Sequence, residues 1–276
     1  MGSKISRRKF VLAASSLGSA VMADGWSALA KTGGGSPAAV PAESIAWEFV
    51  DAGAPARPKV LVFDVNQTLL DLNALRPHFV HVFGDGKALD EWFSLLLHYS
   101  LVVTVADAYS DFGAVGRAVL EMLATTRGVT IPSEDMTRIL QGMLSLPPHP
   151  EVPESLKQLK AAGFRMITLT NSSLTAVKAQ LQNAGLTTYF EESISVETVR
   201  RFKPDLQVYR SAAAHLGVQS TDPLLVAAHA WDVFGAMKAG WRAAFIARNG
   251  IPLFPLGPKP DIIGSDLKAV AGSLLR

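Results

Sequence analysis

From Lys59 onward the chain alternates short apolar runs with amphipathic segments, a pattern that restricts it to βαβ units and a parallel sheet. The runs VLVFD (60–64), FRMITLTN (164–171), ESISVE (192–197), PLLVAAH (223–229) and WRAAFIAR (241–248) read as five strands. Strands this apolar are buried on both faces, as parallel strands covered by crossover helices must be. The intervening segments PESLKQLKAAG, SLTAVKAQLQNAG and DLQVYRSAAAHLG carry helical spacing of apolar residues, and Gly163 suits a helix C-cap.

One interval breaks the alternation. Between the first and second runs, about residues 74–147 contain no strand pattern; DEWFSLLLHYSLVV, DFGAVGRAVLEMLATTRG and SEDMTRILQGMLSL all have helical spacing. A crossover needs little more than a dozen residues, so this stretch is expected to form a separate helical subdomain. The expected fold is α/β: a parallel-sheet core, residues 46–73 and 148–276, interrupted by an all-helical cap, residues 74–147.

Polar residues gather just after four of the strands. Asp64 and Thr68 follow the first, Thr170, Asn171 and Ser172 the second, Lys203 lies beyond the third, and His229 to Asp232 follow the fourth. The carboxyl ends of parallel strands share one edge, where ligands bind, so these clusters are expected to form one pocket. Each residue also has a plainer assignment. Asp64 and Asp232 suit helix or turn capping, Lys203 before Pro204 suits a solvated loop, and Thr68 and Asn171 suit satisfied loop amides.

The chain has 276 residues, 49% of them hydrophobic and 18% charged, which is ample for a core and a cap. Of its formal charge of +2, residues 1–30 contribute +3 through Lys4, Arg7, Arg8 and Lys9 against Asp24, leaving the body near −1. A body so close to neutral offers no electrostatic footprint for nucleic acid, and a small-molecule substrate is expected. The absence of cysteine excludes thiol nucleophiles, thiolate metal sites and disulfides.

Residues 1–30 have a basic head, an apolar middle broken by Ser15, Ser16, Gly18 and Ser19, and a small-x-small end at Ala28-Leu29-Ala30. That is the layout of an export signal, and SRRKFV resembles the twin-arginine type. Export to the periplasm follows, with no stable membrane insertion once the signal is cleaved and a membrane anchor if it is not. Residues 31–45, rich in Gly, Ala, Ser and Pro, read as a flexible linker.

Four motifs in order, FDVNQTLLD, LTNSS, KPDLQVY and AHAWDVFGAMKAG, make the chain resemble the haloacid dehalogenase-like superfamily. Within it, the type II (L-2-)haloacid dehalogenases are the branch the motifs are most similar to. The resemblance implies a Rossmann-like core with a helical cap, and a nucleophilic Asp64 that displaces halide from carbon and forms an aspartyl ester, which water then hydrolyses. It further implies that Lys203 keeps Asp64 ionised, that Asp232, with His229, positions the water, and that Thr68, Thr170 and Asn171 hold the nucleophile or the substrate carboxylate. Tyr209 would support the pocket and Trp231 would line it.

Phosphatases of the superfamily usually place an acid two residues after the nucleophile and another after the fourth strand; those positions are Asn66 and Ala228 here. Asn66 is then a substrate-contacting residue, and neither a metal nor a cofactor is expected. Two positions depart from the dehalogenase pattern. The cap arginine that receives halide falls on Phe93, and the motif after the fourth strand carries Ala227, Ala228 and His229 where serines and an asparagine are usual. His98, Arg76, His229 and Trp231 are the candidate replacement donors. The expected activity is hydrolytic dehalogenation of a short 2-haloacid, with a phosphatase or a catalytically weakened binding protein as alternatives. A homodimer is compatible with the resemblance.

Overall fold

The structure, a computed structural model, describes residues 57–276. The signal read at 1–30, the linker at 31–45 and the first residues assigned to the core therefore lie outside the described residues.

Six parallel strands form one sheet: β1 (Val60–Phe63), β2 (Arg165–Thr170), β3 (Ser193–Ser195), β4 (Pro223–Ala227), β5 (Arg242–Ile246) and β6 (Ile262–Gly264), in the order β3-β2-β1-β4-β5-β6. β1 thus lies in the interior, with Val60 beside both Arg165 of β2 and Pro223 of β4. All of its residues are fully buried, which is why VLVF has no polar alternation. The strand order reverses at β1, so the edge beyond its carboxyl end is a topological switch point.

The sequence pattern anticipates five strands; the sixth, β6, has three residues and follows the Pro-rich stretch at 252–260, too short for periodicity to reveal. It is joined to a last helix, α9 (Leu267–Leu274), capped by Asp266.

Between β1 and α5 (Val152–Ala161) come four helices: α1 (Arg76–Phe83), α2 (Lys87–Val105), α3 (Phe112–Arg127) and α4 (Ser133–Gly142). They occupy the interval assigned to the cap. Trp92, Phe93, Leu96 and Ser100 make the buried stripe of α2, and Asp111 caps α3 through the Ala114 amide.

The remaining helices start where the chain leaves a strand. α6 (Leu174–Asn183) begins after Ser173, whose hydroxyl accepts from Ala176 N; α7 (Leu206–His215) begins after Asp205, which accepts from Gln207 N. α8 (Ala230–Lys238) follows β4 with His229 at its N-cap and no side-chain cap bond. These caps fix the loops that carry the polar residues. No helix among the described residues is long and apolar enough to cross a membrane.

Candidate active site

Asp64 is the first residue after β1, and its amide still bonds Val226 O of β4, so its carboxyl group emerges at the carboxyl edge of the sheet. Three groups hold it. Lys203 Nζ lies 2.9 Å from Oδ1, while Thr68 Oγ1 donates to Oδ2 at 2.6 Å and His229 Nδ1 lies 3.1 Å from the same oxygen. Nothing in this set is a helix-capping amide, so the capping assignment for Asp64 does not hold.

Lys203 is equally far from a solvated loop lysine: its side chain is completely buried. Its ammonium uses its three donors on Asp64 Oδ1, Asp232 Oδ2 at 2.6 Å and Leu169 O at 2.9 Å, the full complement of an ammonium group. The backbone places it there, because Lys203 N donates to Asn171 Oδ1 and the Lys203–Pro204 bond is cis. Asn171 is therefore a positioning group for the lysine.

Asp232 does not cap α8 with its side chain. Its carboxylate accepts from Lys203 through Oδ2 and from Tyr209 through Oδ1 at 2.6 Å. Thr68 spans two strands, since its Oγ1 donates to Asp64 and accepts from Ala228 N at 2.9 Å.

The charges settle in opposite directions. Burial pushes the Asp64 carboxyl up, but the Lys203 ammonium, the His229 ring and the Thr68 hydroxyl together outweigh it and hold the group below the ordinary carboxylate range. Burial works against the charge on Lys203 too, and there the two carboxylates prevail and raise it. Asp232 is raised, because burial and the Asp64 charge outweigh its bonds to Lys203 and Tyr209. Burial and the neighbouring Asp232 keep the Tyr209 hydroxyl protonated well beyond its usual range, as its donor role requires.

His229 is the least buried of the partners of Asp64, with 10% of its side chain exposed against none of Lys203. Its ring packs with two others: Phe93 of α2, stacked at 6.2 Å, and Trp231, tilted at 4.9 Å. Phe93 thus reaches the site from α2, at the position where the resemblance places an arginine.

Asn66 is turned to a different use. Its Nδ2 donates to Ser172 Oγ at 3.2 Å and its Oδ1 accepts from Gln180 Nε2 at 2.9 Å, a neutral network that ties the loop after β1 to α6. Thr170 Oγ1 accepts from Ser172 N and shapes the neighbouring turn. Among the described residues no cluster of three or more His, Cys, Asp or Glu is arranged to hold a metal ion.

Two residues predicted from sequence are not brought to this cluster. His98 is exposed on α2, edge-on to Tyr99, on the face away from the buried stripe. Arg76 is bound to Asp90, Asn73 and Gly86 O at the start of the cap, where its charge is already matched. One participant escaped sequence reasoning: Gln67, whose Oε1 lies 2.8 Å from His229 Nε2. A polar loop residue three positions after Asp64 is the sole signal the sequence offers for it.

Residues 58–240 match the sequence family described as haloacid dehalogenase-like hydrolase. The chain is 29% identical over 214 residues to the (S)-2-haloacid dehalogenase of Pseudomonas sp. strain YL, covering 77% of this chain and 92% of that one. With (S)-2-haloacid dehalogenase 1 of Pseudomonas sp. strain CBS-3 it shares 30% identity over 196 residues, 70% of this chain and 86% of the relative. The solved L-2-haloacid dehalogenase of Xanthobacter autotrophicus with chloropropionic acid covalently bound superposes with a TM-score of 0.74 at 25% identity, over 79% of this chain and 98% of that structure.

Proposed function

Because the chain belongs to the haloacid dehalogenase-like hydrolase family, we propose that it is a hydrolytic dehalogenase, converting a short 2-haloacid to a 2-hydroxyacid and halide through an ester on Asp64. One observation carries the reading: a buried carboxylate at the switch point is kept ionised by a fully buried lysine, with neutral Asn66 and Ala228 where phosphoryl chemistry would place acids.

In the first step a carboxylate oxygen of Asp64 attacks the carbon bearing the halogen, and the halide leaves with the bonding pair. Displacement on the far side inverts that carbon, so an (S)-2-haloacid yields the (R)-hydroxyacid. Lys203 orients the carboxylate and keeps it charged, and Thr68 fixes its other oxygen. Asp232 and Tyr209 hold Lys203 in place, since both Asp232 oxygens are already occupied. The indole N–H of Trp231, beside the His229 ring, receives the halide in place of a cap arginine, with Phe93 packed against that ring. In the second step water attacks the Asp64 carboxyl carbon; its proton passes to His229 and on to the departing hydroxyacid oxygen as the ester breaks. Thr170 and Asn171 shape the loop against which the substrate carboxylate lies.

The same proposal retains residues 1–30 as a twin-arginine-type export signal, residues 31–45 as its linker and residues 74–147 as a cap over the site, so that the enzyme works in the periplasm.

Turnover of 2-chloropropionate in water enriched in heavy oxygen tests the chemistry. Mass spectrometry of the Asp64 peptide is expected to find label in the carboxyl group, and product formed with an unlabelled Asp64 would overturn the ester. EDTA-sensitive release of phosphate from simple esters, without halide release, would favour a phosphatase instead.

A further inference from the structure

The loop after β1 contains a backbone conformation that its own sequence disfavours. Gln67 has φ +60°, in the left-handed region where glycine is at ease and a long side chain is not. Such strain persists only where the surroundings hold it, and it collects at functional sites.

Here the surroundings are explicit. His149 Nε2 lies 3.1 Å from the Gln67 carbonyl oxygen and donates to it; burial and the nearby Arg248 charge depress the basicity of His149, leaving it a neutral donor. Arg248, paired with Glu151, donates to the next carbonyl, that of Thr68, at 2.7 and 3.2 Å. Two side chains from elsewhere in the sequence therefore clamp consecutive carbonyls of the strained loop.

The clamp presents the Gln67 amide to His229, with Oε1 at 2.8 Å from Nε2. The other ring nitrogen, Nδ1, faces Asp64 Oδ2 at 3.1 Å. Both nitrogens look onto oxygens, and the nearest rings, Phe93 at 6.2 Å and Trp231 at 4.9 Å, are uncharged. The next charges are Lys203, on the far oxygen of Asp64, and Arg248, behind the loop.

The geometry points to Gln67 as a positioning residue whose amide holds His229 at Nε2 and so keeps the ring turned with Nδ1 on Asp64 Oδ2. Without the amide at Nε2 the ring is free to rotate about its side-chain torsions, and Nδ1 is no longer fixed against the reacting carboxyl group. The residue acts through His229 and touches neither substrate nor Asp64. The inference rests on the dehalogenase reading for its effect on turnover, and on the loop geometry alone for its effect on the ring.

Two variants of the full chain separate the side chain from the backbone. Gln67→Gly removes the amide and relieves the positive φ, so thermal unfolding is expected at the same or a higher temperature. Release of halide from 2-chloropropionate by that variant should fall on the order of 100-fold in kcat, with KM changing far less. Gln67→Glu keeps a carboxyl oxygen at Nε2 and is expected to restore most of the rate. Nitrogen NMR of the labelled imidazole reads the two ring contacts directly: both His229 ring nitrogen shifts are expected to move in Gln67→Gly relative to the wild type.

Full kcat in Gln67→Gly, or His229 ring shifts identical to wild type, would overturn the proposal. Should the wild type release no halide from any haloacid, the functional reading falls, and the ring shifts of wild type and Gln67→Gly still decide whether Gln67 holds the ring.

Discussion

Tyr209 donates its hydroxyl to Asp232 Oδ1 at 2.6 Å, and so leaves the opposite oxygen of that carboxylate free to meet Lys203. Removing the hydroxyl leaves a buried charged oxygen without a donor. Tyr209→Phe is expected to lose about 1.5–3 kcal/mol of stability, the scale of a hydrogen bond to a charged group, measured by urea unfolding. Turnover should fall with it, because Lys203 is held by the carboxylate that Tyr209 positions; an unchanged kcat would separate Asp232 from the chemistry.

Lys203→Met leaves two buried carboxylates facing each other without their shared cation. Breaking a buried pair from one side costs roughly 3–5 kcal/mol, and halide release should become undetectable. The pH dependence follows from the shifts. Asp64 is depressed in the folded protein, so its contribution is present above its ordinary value of 3.8 and is lost as pH falls through the lower folded value. Lys203 is raised, so its contribution is present below its ordinary value of 10.5 and is lost as pH rises through the higher one. The stability difference between wild type and Lys203→Met should therefore be widest between these limits and shrink on strong acidification. Denaturant titrations at pH 7 and pH 3 check it.

Gly235 lies where α8 passes the Lys203–Pro204 segment. A Cβ there would lie 2.5 Å from Pro204 Cβ and 2.8 Å from the Tyr209 hydroxyl oxygen, with the Pro204 carbonyl at 3.0 Å. Gly235→Ala is expected to destabilise by about 1–3 kcal/mol through overpacking, despite the better helix propensity of alanine. Because the crowded atoms hold Asp232 and Lys203, the substitution should also lower kcat, although it touches no substrate.

Asn66→Asp tests the choice between carbon and phosphorus. The Asn66 amide is engaged with Ser172 and Gln180, and Ala228 offers no companion acid, so one new carboxylate does not complete a metal site. The variant is expected to lose halide release without gaining magnesium-dependent phosphatase activity. Wild-type turnover should be unchanged by EDTA, as measured by halide release.

The positions of Asp64, Thr68, Lys203 and Asp232 were legible because each follows a strand whose apolar run is unmistakable, and parallel strands bring their ends together whatever the loops do. His98 shows the limit of that logic. It sits five residues after Phe93, which turns it about half a revolution away from the buried stripe of α2, and a list of titratable residues on the cap does not register this. Gln67 was hidden for the opposite reason: it lies in an irregular loop with no period to read, and its importance is carried by a backbone angle and a ring contact that exist only once β1 and β4 are side by side. The short β6 shared that fate, since three residues give no pattern.

The interior placement of β1 also has a temporal side. Among the described residues β1 is the first strand to leave the ribosome, yet its backbone partner on one flank is β4, with Asp222 facing Lys59 from 163 residues downstream. At roughly 5–20 residues per second, on the order of ten seconds separates the two. For that interval this wholly apolar strand has its β4 flank unpaired, and Asp64 lacks Lys203 and His229, the distant groups that keep it charged. The newborn chain therefore has a built-in waiting period, during which the nucleophile is already made and the charges that arm it are not.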